Sequence, residues 1–316
     1  MTRRPPRDST AFRRIAWLFL AAAWLVLGAS PAAAARVVVV LSDDSAPYQE
    51  VYQALRARLE GSPHEVGRVY ADAASAASLG EARLAVAVGV RAAEALASLA
   101  GRPPVLAVLV PRAWYQKTGR VRLAEGGHAA SAIYLDQPFE RQVRLIRLAL
   151  PEARRVGVLL GAEQAGLASE LGEAARAQGL TLVAQTLAAD ERLVRPLESV
   201  LSGADVLLAV PDPAVFNRNT AQSLFLTSYR YRVPVLGYSY SLTRAGALLS
   251  LHSSPAEIGR QAAEAVDSAL QGPTVRLPAP AYPAYSGVSV NEQVARSLGV
   301  GLPSAGELER NLGGQR

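Results

Sequence analysis

The residues best suited to chemistry in this sequence follow directly after short apolar runs. The run PVLG, residues 234–237, leads into Tyr238, Ser239 and Tyr240, and the run RVVVVL, residues 36–41, leads into SDDSAPYQ with Ser45 and Tyr48. Flat rings beside hydroxyl groups bind small molecules through contact area and a few oriented hydrogen bonds. The pattern predicts a binding cleft.

Similar side chains follow most of the other apolar runs. They are Arg91, Trp114, Tyr115, Lys117, Gln137, Phe139, Glu140, Glu163, Gln164, Asp212, Phe216 and Asn217. In open parallel sheets, ligands lie beyond the carboxyl ends of the strands, because helix N-termini present free N–H groups there. Simpler roles stay open: Asp43, Asp44 and Asp212 also suit helix capping, and Trp114 and Tyr115 also suit a covered loop.

Patterns for catalysis or metal binding are missing from the sequence. His64, His128 and His252 are scattered, and the sequence has no cysteine for a thiolate nucleophile, a disulfide or a metal ligand. No Walker-type loop, GxGxxG segment or G-x-S-x-G elbow is present. We therefore expect no enzyme activity, no metal site and no cofactor.

The elements that position these groups alternate between strand and helix. Strands are predicted near residues 36–41, 84–89, 105–110, 131–135, 155–161, 180–185, 205–210 and 234–238. Amphipathic segments separate most of them; one places Val51, Leu55 and Leu59 on a single helical face. This alternation predicts an α/β protein with parallel sheets and helices on both faces.

A weak internal duplication indicates two domains. LAVAVGVRAAEALASLAGRPPVLAVLV and LLAVPDPAVFNRNTAQSLFLTSYRYRVPVLGYS share the order strand, turn, helix and Pro-Val-Leu strand. Two similar units favour two similar lobes, although any two βαβ units resemble each other to some degree. The amphipathic segment DQPFERQVRLIRLALPEARR between them predicts a structured crossing.

The first 35 residues predict a cleaved signal peptide. A basic segment with five arginines precedes an apolar stretch from Ile15 to about Ala29, and PAAAA then favours cleavage after Ala35. Arg13 and Arg14 leave the general secretory and twin-arginine routes both open. The formal charge of +6 falls to about +2 without this segment, which argues against a nucleic-acid partner. We expect a periplasmic protein.

Several segments resemble the ABC transporter substrate-binding protein family, which includes aromatic amino-acid binders with the periplasmic-binding-protein type I fold. They are SAIYLDQPFERQVRLIRLALPEARRVGVLLG, ADVLLAVPDPAVFN, YRVPVLGYSYSLTRAGALLSLHSSPAEIGRQAAEAVDSALQG and VSVNEQVARSLGVGLP. The resemblance implies two Rossmann-like lobes joined by a three-crossing hinge, with crossings near Leu135, Gly246 and Pro273. The implied first lobe is residues 36–134 plus 247–273, and the second is residues 135–246 plus 274–316.

The resemblance also implies which residues face the cleft between the lobes. They are Ser45, Tyr48, Gly89, Arg91, Gln137, Phe139, Gln164, Asp212, Phe216, Tyr238 and Ser239, and the YSYS segment adds Tyr240. Many relatives carry an acidic residue where this chain has YSYS. A charge for a ligand amino group would then come from Asp212 or Asp43, and an uncharged, anionic or aromatic ligand is equally compatible.

The implied function is a monomeric periplasmic binding protein that closes on a small, partly aromatic or amino-acid-like ligand and delivers it to an ABC permease. Two alternatives keep the export signal. One is a sensor or ligand-presenting subunit for a membrane kinase or an outer-membrane uptake system. The other is a ligand-free interaction module of the cell envelope.

Overall fold

The computed structural model of the protein describes residues 34–189, 191–217 and 219–313. Nearly all of the predicted signal peptide, residues 1–33, lies outside the described residues. Within these ranges, no helix has both the length and the apolar character needed to cross a membrane. The described chain forms two α/β lobes, each built around its own sheet.

The first sheet has five parallel strands in the order β2-β1-β3-β4-β5. They are β1 (Arg36–Leu41), β2 (Glu65–Tyr70), β3 (Leu84–Val88), β4 (Val105–Val110) and β5 (Ala130–Tyr134). Along β1, Val37 and Val39 pack in the core on one face, and Val38 and Val40 pack in the core on the other. Because both faces are covered, the whole strand after Arg36 is buried, which explains its unbroken apolar sequence.

The second sheet has six strands in the order β11-β10-β9-β8-β6-β7. They are β6 (Arg155–Gly161), β7 (Thr181–Leu187), β8 (Val206–Leu208), β9 (Val235–Gly237), β10 (Leu249–His252) and β11 (Gly287–Val290). Every pair is parallel except β10 with β11. The sequence prediction of α/β lobes with parallel sheets is confirmed.

Helices cover both faces of each sheet. They are α1 (Ala46–Leu59), α2 (Ala76–Leu79), α3 (Val90–Ala97), α4 (Arg112–Trp114), α5 (Arg120–Ala124), α6 (Phe139–Ala149), α7 (Leu167–Ala177), α8 (Val194–Gly203), α9 (Ala221–Arg230), α10 (Tyr240–Ala245), α11 (Pro255–Leu270), α12 (Glu292–Leu298) and α13 (Ala305–Leu312). A π-helical turn, Tyr115–Gly119, joins α4 to α5.

The second crossing between the lobes follows β10. That strand pairs with β9 and β11 in the second sheet, whereas α11 packs against α1 in the first lobe. A Cβ at Gly259 of α11 would lie 2.5 Å from the Val51 carbonyl oxygen of α1, so the two helix backbones approach closely. The crossing therefore lies between His252 and Pro255, and the sequence-based position near Gly246 is wrong.

The third crossing also falls later than expected. Ala281 continues to pair with β5, since Tyr134 donates its N–H to the Ala281 carbonyl at 3.0 Å and Ala281 donates to Ala132 at 2.9 Å. The Tyr282 ring then packs on Tyr134 with ring centres 5.5 Å apart. Because β11 begins in the second sheet at Gly287, the chain crosses after Tyr282 and not near Pro273.

The first lobe therefore contains residues 34–134 and about 255–282, and the second contains about 139–252 and 287–313. The first crossing lies between the end of β5 at Tyr134 and the start of α6 at Phe139. The second and third crossings lie later in the chain than predicted. The local pattern of an apolar strand such as β10 is the same in either sheet, and only its partners decide which sheet it joins.

Candidate functional site

A cavity of about 450 Å³ lies where the two lobes meet the crossings. Its lining comprises Ser45, Pro47, Tyr48, Glu50 and Leu109 from the first lobe, Tyr238, Ser239, Tyr240, Ser241 and His252 from the second, and Leu135, Ser253, Ser254 and Pro255 at the crossings. The start of α1 thus faces the start of α10 across the cavity. Five of the predicted site residues, Ser45, Tyr48, Tyr238, Ser239 and Tyr240, come together here.

The first-lobe wall is formed by the Tyr48 ring. Ser42, at the end of β1, donates from Oγ to the Val88 carbonyl at 2.8 Å and accepts from the Ala92 N–H at 3.0 Å, which ties the end of β1 to β3 and α3. Gly89 follows β3 with φ +88°, and a Cβ there would lie 2.6 Å from Ser42 Oγ and 3.0 Å from the Tyr48 hydroxyl. Gly89 therefore supports the position of Tyr48 and does not line the cavity itself.

The second-lobe wall continues directly from β9. The Tyr238 ring packs edge-on against Phe216, with ring centres 6.1 Å apart, so Phe216 stands behind the wall. Burial raises the pKa of Tyr238 to about 12, and the charges of Asp136 and Asp212 add to the rise. Ser239 caps α10 by accepting the Leu242 N–H at 3.3 Å. The phenol of Tyr238 is therefore neutral and able to donate a hydrogen bond.

Tyr240 forms the outer part of the second wall. Its side chain is 57% exposed, and its ring centre lies 6.1 Å from that of His252. An exposed aromatic residue at the edge of a cavity gains buried area only when a ligand or the opposite lobe covers it. Tyr240 is thus placed to contact whatever occupies the cavity.

Gln137 lies in the hinge and does not line the cavity. Its Nε2 donates to Ser253 Oγ at 2.8 Å, and its Oε1 accepts from Arg141 at 2.7 Å. Ser253 Oγ in turn donates to the Tyr285 carbonyl. Because these residues belong to the first, second and third crossings, the hydrogen bonds connect all three segments of the hinge.

Asp212 and Gln164 hold the loops of the second lobe together. The Asp212 carboxylate accepts the Gly161 N–H at 2.7 Å and the Ala214 N–H at 3.0 Å, and the residue is only 3% exposed. Gln164 donates to the Pro211 carbonyl at 3.1 Å. The charge of Asp212 is therefore already stabilised by the backbone, as a helix- or loop-capping carboxylate requires.

Phe139 and Arg91 lie outside the cavity lining. Phe139 begins α6, is 2% exposed and packs in the core of the second lobe. Arg91 is exposed in the first turn of α3. Because these residues follow predicted strands, the sequence indicated the edge of each sheet at the carboxyl ends of its strands. Position in the sequence does not give the direction of a side chain.

The sequence did not identify His252 as a lining residue. It closes β10 directly before the second crossing, and its Nε2 is buried without a hydrogen-bond partner among the described residues. Burial lowers the pKa of His252, and the charges of Glu257 and Glu309 partly oppose this effect. His252 is recognised as a lining residue only once the second crossing is placed directly after β10, beside the cavity.

Asp136 is a buried carboxyl group at the first crossing. It accepts the Arg112 N–H at 2.6 Å. Burial raises its pKa from 3.8 to about 6, even though hydrogen bonds with the backbone and the charge of Arg112 favour the ionised form. Asp136 thus links the end of β4 to the hinge, next to but not within the cavity lining.

Two ion pairs connect the lobes directly. Arg112, after β4, contacts Glu170 of α7 at 2.6 Å, and Lys117 contacts Glu163. The Arg112 guanidinium also lies 5.3 Å from the centre of the Phe139 ring and 5.7 Å from that of Tyr282. Burial by itself lowers the pKa of Arg112, but the hydrogen bond to Glu170 and nearby charges raise it overall. These contacts join the two lobes beside the hinge.

Among residues 34–189, 191–217 and 219–313, no group of three or more His, Cys, Asp or Glu side chains is arranged to hold a metal ion. The lining instead combines aromatic surface, serine hydroxyls and one carboxylate, Glu50. Two hinged α/β lobes around such a cavity define a ligand-binding protein of the periplasmic-binding-protein type I fold.

Comparison with known families gives the same class. The family described as ABC transporter substrate binding protein matches residues 81–305. This chain belongs to that family, whose members are substrate-binding transport proteins. No curated protein sequence matches the chain.

Solved structures with the same fold have low sequence identity. A conserved domain protein from Vibrio cholerae is 22% identical over 86% of this chain and 96% of its own, with a TM-score of 0.63. An ABC domain from Streptococcus pneumonia in complex with L-Trp is 16% identical over 86% and 97%, with a TM-score of 0.61. A periplasmic ribose ABC transporter protein from Conexibacter woesei is 12% identical over 89% and 99%, with a TM-score of 0.53. These similarities establish the fold alone.

Proposed function

We propose that this protein is the periplasmic solute-binding component of an ABC-type uptake system and that its lobes close on a small, partly aromatic or amino-acid-like ligand. One observation carries the proposal: tyrosine and serine side chains from both lobes line a single cavity of about 450 Å³. A cavity of this size is within the range of small-molecule sites. Family membership supports the transport role.

The proposed ligand contacts are Ser45 and Tyr48 from the first lobe and Tyr238, Ser239 and Tyr240 from the second. Gly89 and Phe216 support them, and Gln137, Gln164 and Asp212 act through the hinge and loops. Phe139 acts through the core of the second lobe, and we assign no ligand contact to Arg91. Because the walls belong to different lobes, a ligand between them favours the closed state by its extra contacts there. An inner-membrane permease would recognise that state on a monomeric binding protein.

Thermal unfolding of the purified protein tests for a ligand. The panel contains L-tryptophan, L-tyrosine, adenine, nicotinamide, D-ribose and D-galactose. A compound at about 100 times its dissociation constant should raise Tm by about 5 °C or more. No response to this panel or to wider ones, in protein shown to be free of co-purified compounds, would instead favour the ligand-free interaction module.

Substitution of the cavity tyrosines tests the site. Tyr238→Ala and Tyr240→Ala should each weaken binding of the responding compound by about ten-fold, because each removes aromatic contact area. Tyr229→Ala is the matched control, since Tyr229 is 54% exposed on α9 and does not line the cavity. Equal affinity in all three variants would remove the two tyrosines from the site.

The cellular role is tested separately. Cell fractionation should recover the protein in the periplasm with Arg36 as its first residue. A strain without the protein should lose high-affinity uptake of the responding compound. Normal uptake together with a lost transcriptional response to the compound would favour the sensor alternative.

A further inference from the structure

The residues that line the cavity supply almost no charge. Glu50 is the one lining residue with a carboxylate, it is exposed, and no lysine or arginine lines the cavity among the residues that the structure describes. The other polar groups are serine and tyrosine hydroxyls and the His252 imidazole. Burial raises the pKa of Tyr48 and Tyr238 and lowers that of His252, so these three groups are neutral near pH 7.

Three charged groups of the loops around the cleft already have partners. Arg112 is paired with Glu170, and Lys117 is paired with Glu163. The Asp212 carboxylate accepts two backbone N–H groups, at 2.7 Å and 3.0 Å. An anionic ligand in the cavity would lose its hydration without gaining a lysine or arginine partner, which is unfavourable. A cationic group would find only Glu50, which is exposed to water, so such a pair contributes little.

Part of the hydrogen-bonding capacity of the lining is already used by the protein itself. Ser239 and Ser254 cap α10 and α11, and Ser253 bonds the hinge. Ser45 makes no capping bond through its side chain, although it precedes α1. A sugar carries a hydroxyl on most of its carbons, and each one that the remaining lining hydroxyls and His252 do not pair would lower its affinity. Three tyrosine rings, by contrast, offer flat apolar surface from both lobes.

We infer that the cavity selects an uncharged planar molecule, aromatic or heteroaromatic, held by ring contacts and one or two hydroxyl hydrogen bonds. This inference rests on the proposed function, because it requires that the cavity is a ligand site. It narrows the ligand class, since zwitterionic amino acids, organic anions and sugars are all excluded.

Matched pairs of similar shape and different charge test the inference. The probes are nicotinamide against nicotinate, benzamide against benzoate, and indole against indole-3-acetate, with L-tryptophan, tryptamine and D-ribose added. Thermal shifts identify binders, and isothermal titration calorimetry gives dissociation constants. We expect a neutral probe to raise Tm and to bind at least ten-fold more tightly than its anionic partner.

The outcomes separate this inference from the proposed function. If an anionic probe, L-tryptophan or tryptamine binds as tightly as the neutral probes, the inference is wrong and the proposed function stands. The same holds if D-ribose alone binds. If none of the nine probes changes Tm, the neutral aromatic class is wrong, and the wider panel then decides whether the protein binds any solute.

Discussion

We predict that the ion pair between Arg112 and Glu170 stabilises the closed arrangement of the two lobes relative to the open one. The two side chains approach to 2.6 Å and are 11% and 39% exposed. Glu170→Gln removes the negative charge, keeps the shape and leaves the contacts of Arg112 with the Phe139 and Tyr282 rings in place. Since the pair joins different lobes, its loss should affect the closed state far more than the open one.

The size of the effect follows from the partial burial of the pair. Fully exposed ion pairs contribute about 0–1 kcal/mol. Removing one partner of a fully buried pair costs about 3–5 kcal/mol. On opening, Arg112 regains contact with water, so a value of about 1.5 kcal/mol is reasonable for this pair. The ratio of closed to open molecules should therefore fall roughly ten-fold.

Distance measurements by electron paramagnetic resonance can detect this change. The sequence contains no cysteine, so Val121→Cys on the first lobe and Leu226→Cys on the second can be spin-labelled selectively. Their side chains are 65% and 61% exposed. We expect the Glu170→Gln distance distribution to shift toward the open form in protein without ligand.

A matched control separates lobe closure from a general loss of charge. Glu198 pairs with Arg230 at 2.8 Å within the second lobe. Glu198→Gln should leave the distance between the labels unchanged. If Glu170→Gln and Glu198→Gln both give the wild-type distribution, the ion pair does not control closure and the reasoning fails.

Three further predictions concern the hinge and its surroundings. Asp136 has a pKa raised from 3.8 to about 6, so its contribution to stability is present at low pH and is lost as pH rises from about 4 to 6. In urea unfolding, the free energy of unfolding of Asp136→Asn relative to wild type should therefore increase by up to about 3 kcal/mol from pH 4 to pH 7.5. An equal difference between variant and wild type at both pH values would contradict this. Gly89→Ala should lower the free energy of unfolding by about 1–3 kcal/mol because of its φ of +88°, whereas Gly172→Ala, with its nearest side chain 3.8 Å away, should not. Ser253→Ala breaks its bond with Gln137, and faster hydrogen exchange in residues 135–138 and 283–286 should follow; unchanged exchange would exclude a hinge role.

The strand predictions covered eight of the eleven strands that the structure describes and omitted β10, β11 and the edge strand β2. Its sequence EVGRVY mixes apolar, charged and glycine residues, and all six positions are exposed or half-buried. Arg68 on this strand lies 5.1 Å from the Tyr52 ring centre and 5.6 Å from that of Tyr70. An edge strand packs with only one neighbour, so it lacks the continuous apolar run that identifies the buried strands.

The candidate site was only partly predictable from the sequence. Tyr48, Tyr238 and Tyr240 were predicted because aromatic residues directly follow buried strands or precede helices at the ligand-facing edge. Gln137 and Asp212 were predicted because they also follow buried strands. Their polar atoms instead form hydrogen bonds with the hinge and the loop backbone. A polar side chain after a strand has several possible partners, and three-dimensional packing chooses among them.

Short-range sequence patterns were sufficient to predict an α/β fold with aromatic residues after its strands, and the internal duplication and family resemblance added the two lobes. Apolar runs of strand length and helical faces act locally, so they can be read from neighbouring residues. The folded structure was needed to show that β10 belongs to the second sheet and that His252 lines the cavity. It also paired Arg112 with Glu170 across the lobes. These features depend on contacts between residues far apart in the chain, for which a single sequence carries no local signal.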